Sequence, residues 1–179
     1  MHIRAAKPED IPAMLAIYAP FVKDSAYSFE YEVPSRSVFA ARLKQYSAQF
    51  PWLVCEKDGA VLGYAYASGV FGGRAAYSWC AEISVYLDAR IRGQGWGRTM
   101  YTCVEEILRK QGYRKVYGVI AAQNEGSMRF HEKMGYQKVA HFEKVGYKMG
   151  AWHDVVWYEK TLQAPGDPEE FPAPWDIYV

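Results

Sequence analysis

Two periods of apolar residues run along the 179 positions of this chain, and the changes between them mark its elements. Residues 2–4 read as a short strand. Pro8 sits where a first helical turn tolerates it, and Ile11, Met14, Leu15 and Tyr18 follow at helical spacing. Ser35 can cap a second helix, whose stripe is Phe39, Leu43 and Tyr46. Between the two lies an aromatic loop, 25–34, able to close over a ligand. Packing onto the core is expected for two of its rings, Tyr27, Phe29 and Tyr31. Strands are then predicted at 52–56 and 61–68, joined as a hairpin through Asp58-Gly59, and a long strand at 74–87. A helix over 100–111 carries Met100, Val104, Ile107 and Leu108 on its apolar side. The pairs Glu105–Arg109 and Glu106–Lys110 are placed on its wet side. A strand at 115–120, a short helix at 124–134 and strands at 137–143 and 147–160 complete the pattern. Strands outnumber the helices that interrupt them, which predicts an α/β or α+β sandwich around a mixed sheet. From Gln163 the chain turns to Pro, Asp and Glu and reads as an extended tail, 163–179, pinned by Trp175 and Tyr178.

The stretch 81–98 changes the picture most. An apolar strand runs into Arg92-Gly-Gln-Gly-Trp-Gly-Arg98, and a helix follows at once. Glycines at 93, 95 and 97 leave backbone N–H groups bare, and a helix N-terminus adds partial positive charge. Arg92 and Arg98 add full charges. The result is a cradle for a phosphate or pyrophosphate, against the plainer reading of a tight turn. A Walker A loop fails, because Gly97 is followed by Arg98 and Thr99. A dinucleotide fingerprint fails too: its third glycine comes one position early, and Lys115 and Tyr117 stand where an acidic residue is needed.

Composition narrows the class. Half the residues are apolar and 16% aromatic, which suits one packed domain with a cleft. A net charge of +1 argues against a general nucleic-acid or acidic-membrane binder. No segment approaches a membrane span, and Met1-His-Ile-Arg starts no signal peptide. Cys55, Cys80 and Cys103 lack Cys-x-x-Cys spacing and read as free thiols in a reducing cytoplasm. His2, His131, His141 and His153 show no ligand spacing, so no metal is expected.

What remains at 92–97 is Arg-x-x-Gly-x-Gly. With its strand–turn–helix setting it resembles the pyrophosphate loop of the GNAT N-acetyltransferases, and the likeness runs to about Glu159. Within them the match is to the phosphinothricin and methionine sulfone/sulfoximine acetyltransferase branch. It rests on Arg74-Ala-Ala-Tyr77, Ala81-Glu-Ile-Ser-Val-Tyr86, the block Asn124 to Tyr136, and Val145 to Asp154. The resemblance implies a GNAT domain over 1–162, with a mostly antiparallel mixed sheet splayed at an acetyl-CoA site and flanked by helices. It implies acetyl-CoA as co-substrate and a small amine as acceptor, and the branch is typically dimeric. Trp152, Trp157 and Tyr158 are expected at such an interface.

Acetyl transfer to an amine needs a neutral amine, a polarised thioester and a stabilised leaving thiolate. Glu82 shares a strand face with Cys80 and Ser84 amid apolar neighbours, and burial would raise its pKa into a base's range. An ion pair with Arg74 or a lysine is the competing reading, and the resemblance favours the base. Asn124, Ser127, Met128 and His131 share a helix face. His131 stands where the fold usually has an acid tyrosine, against a structural role for a lone histidine. The resemblance assigns Val85, Tyr86 and Leu87 to the pantetheine arm, and Arg92, Gly93, Gln94, Gly95, Trp96, Gly97 and Arg98 to the pyrophosphate. Asn124 would touch the cofactor, a role compatible with capping its helix. Phe29, Arg74 and Tyr77 would form the acceptor pocket, Arg74 taking a carboxylate through its fork. The branch often carries a second basic residue just before this arginine. Here Gly72-Gly73 stand instead, which favours a methionine sulfone or sulfoximine over the doubly anionic phosphinothricin. Another amine, such as a polyamine or a protein N-terminus, and a non-catalytic CoA-sensing module are the competing functions. The sensing module would need neither Glu82 nor His131.

Overall fold

The computed structural model describes residues 1–164, 166, 167 and 170–175. Among them seven strands form one sheet: β1 His2–Ala5, β2 Trp52–Lys57, β3 Ala60–Gly69, β4 Cys80–Leu87, β5 Lys115–Ala121, β6 Gln137–Lys148 and β7 Ala151–Thr161. The order across the sheet is β1-β2-β3-β4-β5-β7-β6. Four helices accompany it: α1 Ile11–Lys23, α2 Arg36–Ser47, α3 Trp96–Gln111 and α4 Glu125–Lys133. Residues 58 and 59 turn the β2–β3 hairpin with both φ angles positive (51° and 77°), the twist that two-residue hairpins favour. Ser35 caps α2 by accepting from the Val38 N–H, as its position predicts.

Side-chain alternation along the strands builds a core on each face. Trp52, Val54 and Tyr64 meet α1 and α2 through Met14, Tyr18, Phe39 and Leu43. Leu53, Ala65, Ala81 and Ile83 point the other way and meet Met100, Tyr101, Val104 and Leu108 of α3.

One pairing shapes the site. Every neighbouring pair is antiparallel except β4 and β5, which run parallel through Cys80↔Lys115, Ala81↔Val116 and Glu82↔Tyr117 only. Beyond those pairs β4 follows β3 to Leu87, and β5 follows β7 to Ala121. The two strands part like an opened seam, so residues 83–87 present an unpaired backbone edge inside the sheet. This is the splay that the resemblance implies.

Four expectations are corrected. Residues 74–87 are not one strand: Gly72 and Gly73 at positive φ lead into a 3-10 turn, Ala75–Tyr77, and β4 begins only at Cys80. Glu105 is not on the wet face of α3. It is 3% exposed and accepts from the Tyr136 hydroxyl (2.8 Å) and from Lys160 (2.6 Å). Tyr27 and Tyr31 are exposed, leaving Phe29 as the packed ring of the 25–34 loop. Of the aromatics expected at a late-strand interface, Trp152 is 60% exposed, whereas Tyr158 is buried and Trp157 lies under Phe71. The chain after β7 folds back: Ala173 donates to and accepts from Gln111, and Trp175 enters the main core. Tyr178 lies outside the described residues.

Candidate active site

The glycines of the 92–98 loop do what their type allows. Gly93 and Gly95 hold φ of 75° and 88°, and Gly95 takes the N-cap position of α3 without any side-chain cap. A β-carbon on either would meet nothing within 4 Å, so their backbone is open to a ligand. Gly97 differs, since a β-carbon there would press Leu87 at 3.3 Å. Arg92 donates to the Leu87 carbonyl (3.0 Å), its guanidinium over the Phe21 ring. Val85, Leu87, Arg92, Gly93, Gly97 and Asn124 line one groove of about 390 Å³. Gln94 turns back to the Arg90 carbonyl, Trp96 packs on the core, and Arg98 is exposed. Bare N–H groups, a helix N-terminus and an unpaired strand edge fit the pyrophosphate and pantetheine of acetyl-CoA.

Glu82 belongs to the last paired position before β4 and β5 part. Its face is that of Ser84 and Tyr86, towards the α1 side, because Ala81 and Ile83 fill the α3 side. Half-burial pushes its pKa up to about 7, and no cation pairs with it among the described residues. The ion-pair reading therefore finds no partner.

His131 lies on the other face. A β-carbon on Gly118, one residue past the last β4–β5 pair, would come within 2.4 Å of its Nε2, so only glycine leaves room. The ring is 4% exposed, and burial holds its pKa below the usual histidine range. Nδ1 donates to the Ser127 carbonyl (2.8 Å), which leaves Nε2 to accept from the Tyr101 hydroxyl (2.8 Å). That hydroxyl also lies 3.1 Å from the Ile83 carbonyl, on the free edge of β4. Sequence reasoning missed Tyr101, since it sits on the buried stripe of α3 where any large apolar residue would satisfy the pattern. Tyr27, Val85, Asn124, Ser127, Tyr101 and His131 line a narrow cleft beside the seam. Asn124 caps α4, its side chain accepting from the Ser127 N–H.

The residues expected to form an acceptor pocket are less tightly gathered. Arg74 and Tyr77 line a separate cavity of about 400 Å³ with Cys80, Tyr113, Phe171 and Pro172. Glu82 is not in its wall, although Cys80 lies two positions away on the same strand face. Phe71, with φ of 55°, joins this region to the sheet by packing on Tyr77, Tyr117 and Trp157. Phe29 lines none of these cavities and rests on Gly146 and near the His153 ring. Among the described residues there is no group of His, Cys, Asp and Glu that could hold a metal.

Comparison with known proteins gives the same outline. Residues 3–157 match the model of the acetyltransferase (GNAT) domain. A phosphinothricin N-acetyltransferase of Streptomyces viridochromogenes is 34% identical, over 94% of this chain and 91% of its own. An L-methionine sulfoximine/L-methionine sulfone acetyltransferase of Salmonella typhimurium is 30% identical, over 94% and 99%. A phosphinothricin acetyltransferase of Sinorhizobium meliloti, solved with acetyl-CoA, superposes with a TM-score of 0.86 at 28% identity, covering 93% of each chain.

Proposed function

The chain belongs to the GNAT acetyltransferases, and on that premise we propose that it moves the acetyl group of acetyl-CoA to the α-amine of a small amino-acid-like acceptor. The acceptor class is that of methionine sulfone, methionine sulfoximine or phosphinothricin. One observation carries the reading: Glu82 and His131 stand on opposite faces of the sheet, at the point where β4 and β5 separate.

When bound, acetyl-CoA supplies an activated thioester. The loop 92–98 and Asn124 would hold it, with the free edge at Val85–Leu87 pairing to its amide-bearing arm. Glu82, raised to about 7, is poised to take a proton from an incoming ammonium, directly or through a water. His131 and the Tyr101 hydroxyl handle a proton on the other side, where a departing thiolate needs one. This divides the roles: base on the acceptor face, acid on the α3 face. A single guanidinium, Arg74, would take the acceptor carboxylate, and Gly72-Gly73 add no second charge. That favours the sulfone and sulfoximine acceptors. Catalysis is assigned to 1–162, and the segment from 163 lends Phe171 and Pro172 to the Arg74 cavity. The exposed row Phe142, Val145, Tyr147, Met149 and Trp152 supports a homodimer through β6 and β7, and the free thiols of Cys55, Cys80 and Cys103 suit a reducing cytoplasm.

Thiol release from acetyl-CoA tests the reading, with methionine sulfone, methionine sulfoximine, phosphinothricin and a polyamine side by side. The expected result is release with the first two above the no-amine blank. Release with the polyamine alone would overturn the acceptor class. Arg74→Ala is expected to raise KM for carboxylate-bearing amines about 10- to 100-fold with kcat little changed, the size of one lost charge-assisted contact. An unchanged KM removes Arg74 from the pocket.

A further inference from the structure

Lys148 is one of the few charged side chains of this chain to be buried, at 4% exposure. It ends β6, at the two-residue turn of Met149 and Gly150. Its ammonium donates to three backbone carbonyls: Val22 (2.7 Å), Ser25 (3.0 Å) and Ser28 (2.6 Å). An ammonium has three N–H groups, so each is used once and none is left over. Val22 lies in the last turn of α1, where carbonyls lack helical partners and carry partial negative charge. No carboxylate forms an ion pair with Lys148 among the described residues; three carbonyl dipoles hold the charge directly, and Glu30 adds attraction from further off. Burial pulls its pKa below the ordinary lysine range, a mark of the desolvation this placement costs.

The two loop carbonyls it holds bracket Ala26 and Tyr27, which are therefore fixed from both sides. Tyr27 lines the narrow cleft with Ser84, Val85, Asn124 and His131. Ala26 accepts from Gln123, the residue before the α4 cap. Next along the loop, Phe29 rests on Gly146 of β6. One cation thus ties the end of α1, the wall of the cleft and the β6–β7 hairpin together.

We propose that Lys148 is a positioning residue for the acceptor: it latches the 25–28 loop so that Tyr27 walls the cleft. This rests on the reading of that cleft as the transfer site. A methionine in its place would fill the space and leave three carbonyls unpartnered, freeing the loop while the sheet and the 92–98 cradle keep their own bonds.

The test pairs two readouts on Lys148→Met. Amide hydrogen exchange at 25–31 is expected to rise at least about tenfold while the β2–β3 hairpin stays protected. The KM for methionine sulfone is expected to rise about tenfold, with kcat within a few-fold and acetyl-CoA affinity unchanged. Exchange that stays at the wild-type level overturns the latch. Raised exchange with an unmoved KM reduces Lys148 to a purely structural part and overturns its positioning role. Lys148→Gln, which keeps two donors, serves if the methionine variant does not fold, and intermediate values of both readouts are expected. Should the wild type release no thiol with any amine, the acceptor reading fails, and exchange at 25–31 still decides the latch.

Discussion

Glu82→Gln is expected to lower kcat by about 10²- to 10⁴-fold, the range a positioned general base contributes. Glutamine keeps the size and a hydrogen-bonding oxygen but cannot take a proton. Acetyl-CoA binding should hardly change, because the residues proposed for it lie beyond Glu82 on β4 and at 92–98. The wild-type kcat/KM should climb with pH through about 7 and then level off, as the carboxyl loses its proton. The variant should lack that limb. Stability runs the other way. The folded-state pKa lies above the ordinary 4.5, so the group's contribution is complete below about 4.5 and is lost as pH rises through about 7. An ionised Glu82 then costs the fold up to about 3 kcal/mol, reckoned at 1.36 kcal/mol per unit from 4.5 to about 7. Thermal melts should therefore find the glutamine variant more stable than wild type at pH 8, with the gap closing towards pH 5. Wild-type activity in the variant at neutral pH would refute the base.

Gly118→Ala should be strongly damaging, because the added carbon makes the tightest contact of any glycine's would-be β-carbon. Its backbone needs no left-handed angle, so the effect is purely steric. The new carbon would sit 2.4 Å from His131 Nε2 and 2.7 Å from its Cδ2. That nitrogen is the one the Tyr101 hydroxyl holds, and a ring at 4% exposure has nowhere to go. Overpacking of this kind costs roughly 1–3 kcal/mol, and kcat should fall about 10²-fold or more as the pair is pulled apart. A thermodynamic cycle separates the causes. In a His131→Ala background the alanine at 118 finds the space vacated, so its stability cost should nearly vanish. A cost that persists would place the strain elsewhere in β5.

The sequence was most readable where one residue type admits few explanations. The spaced glycines of 93–97 announced a bare backbone before a helix, and Ser35 and Asn124 announced their caps. It was least readable where a residue's meaning depends on its neighbour across the sheet. That Glu82 and His131 face opposite ways follows from the short β4–β5 register, which no local pattern encodes. Apolar periodicity hid Tyr101, whose hydroxyl reaches His131 Nε2. It also gave no hint that Lys148, in an otherwise exposed strand, turns inward. The predicted 74–87 strand overran because the residues after Gly73 suit a strand as well as a turn. Gly72 and Gly73 at positive φ settle it, and they move Arg74 and Tyr77 into the turn before the sheet.

The opened seam between β4 and β5 also sets a rule for inhibitor design. A compound that engages Glu82 and the Tyr101–His131 pair together has to cross the sheet, entering by one mouth and leaving by the other. Bulky or fused rings belong only at the two ends of such a molecule. The part between must be an unbranched chain, narrow enough to thread past Gly118 and carrying an amide that bonds to the unpaired edge of β4.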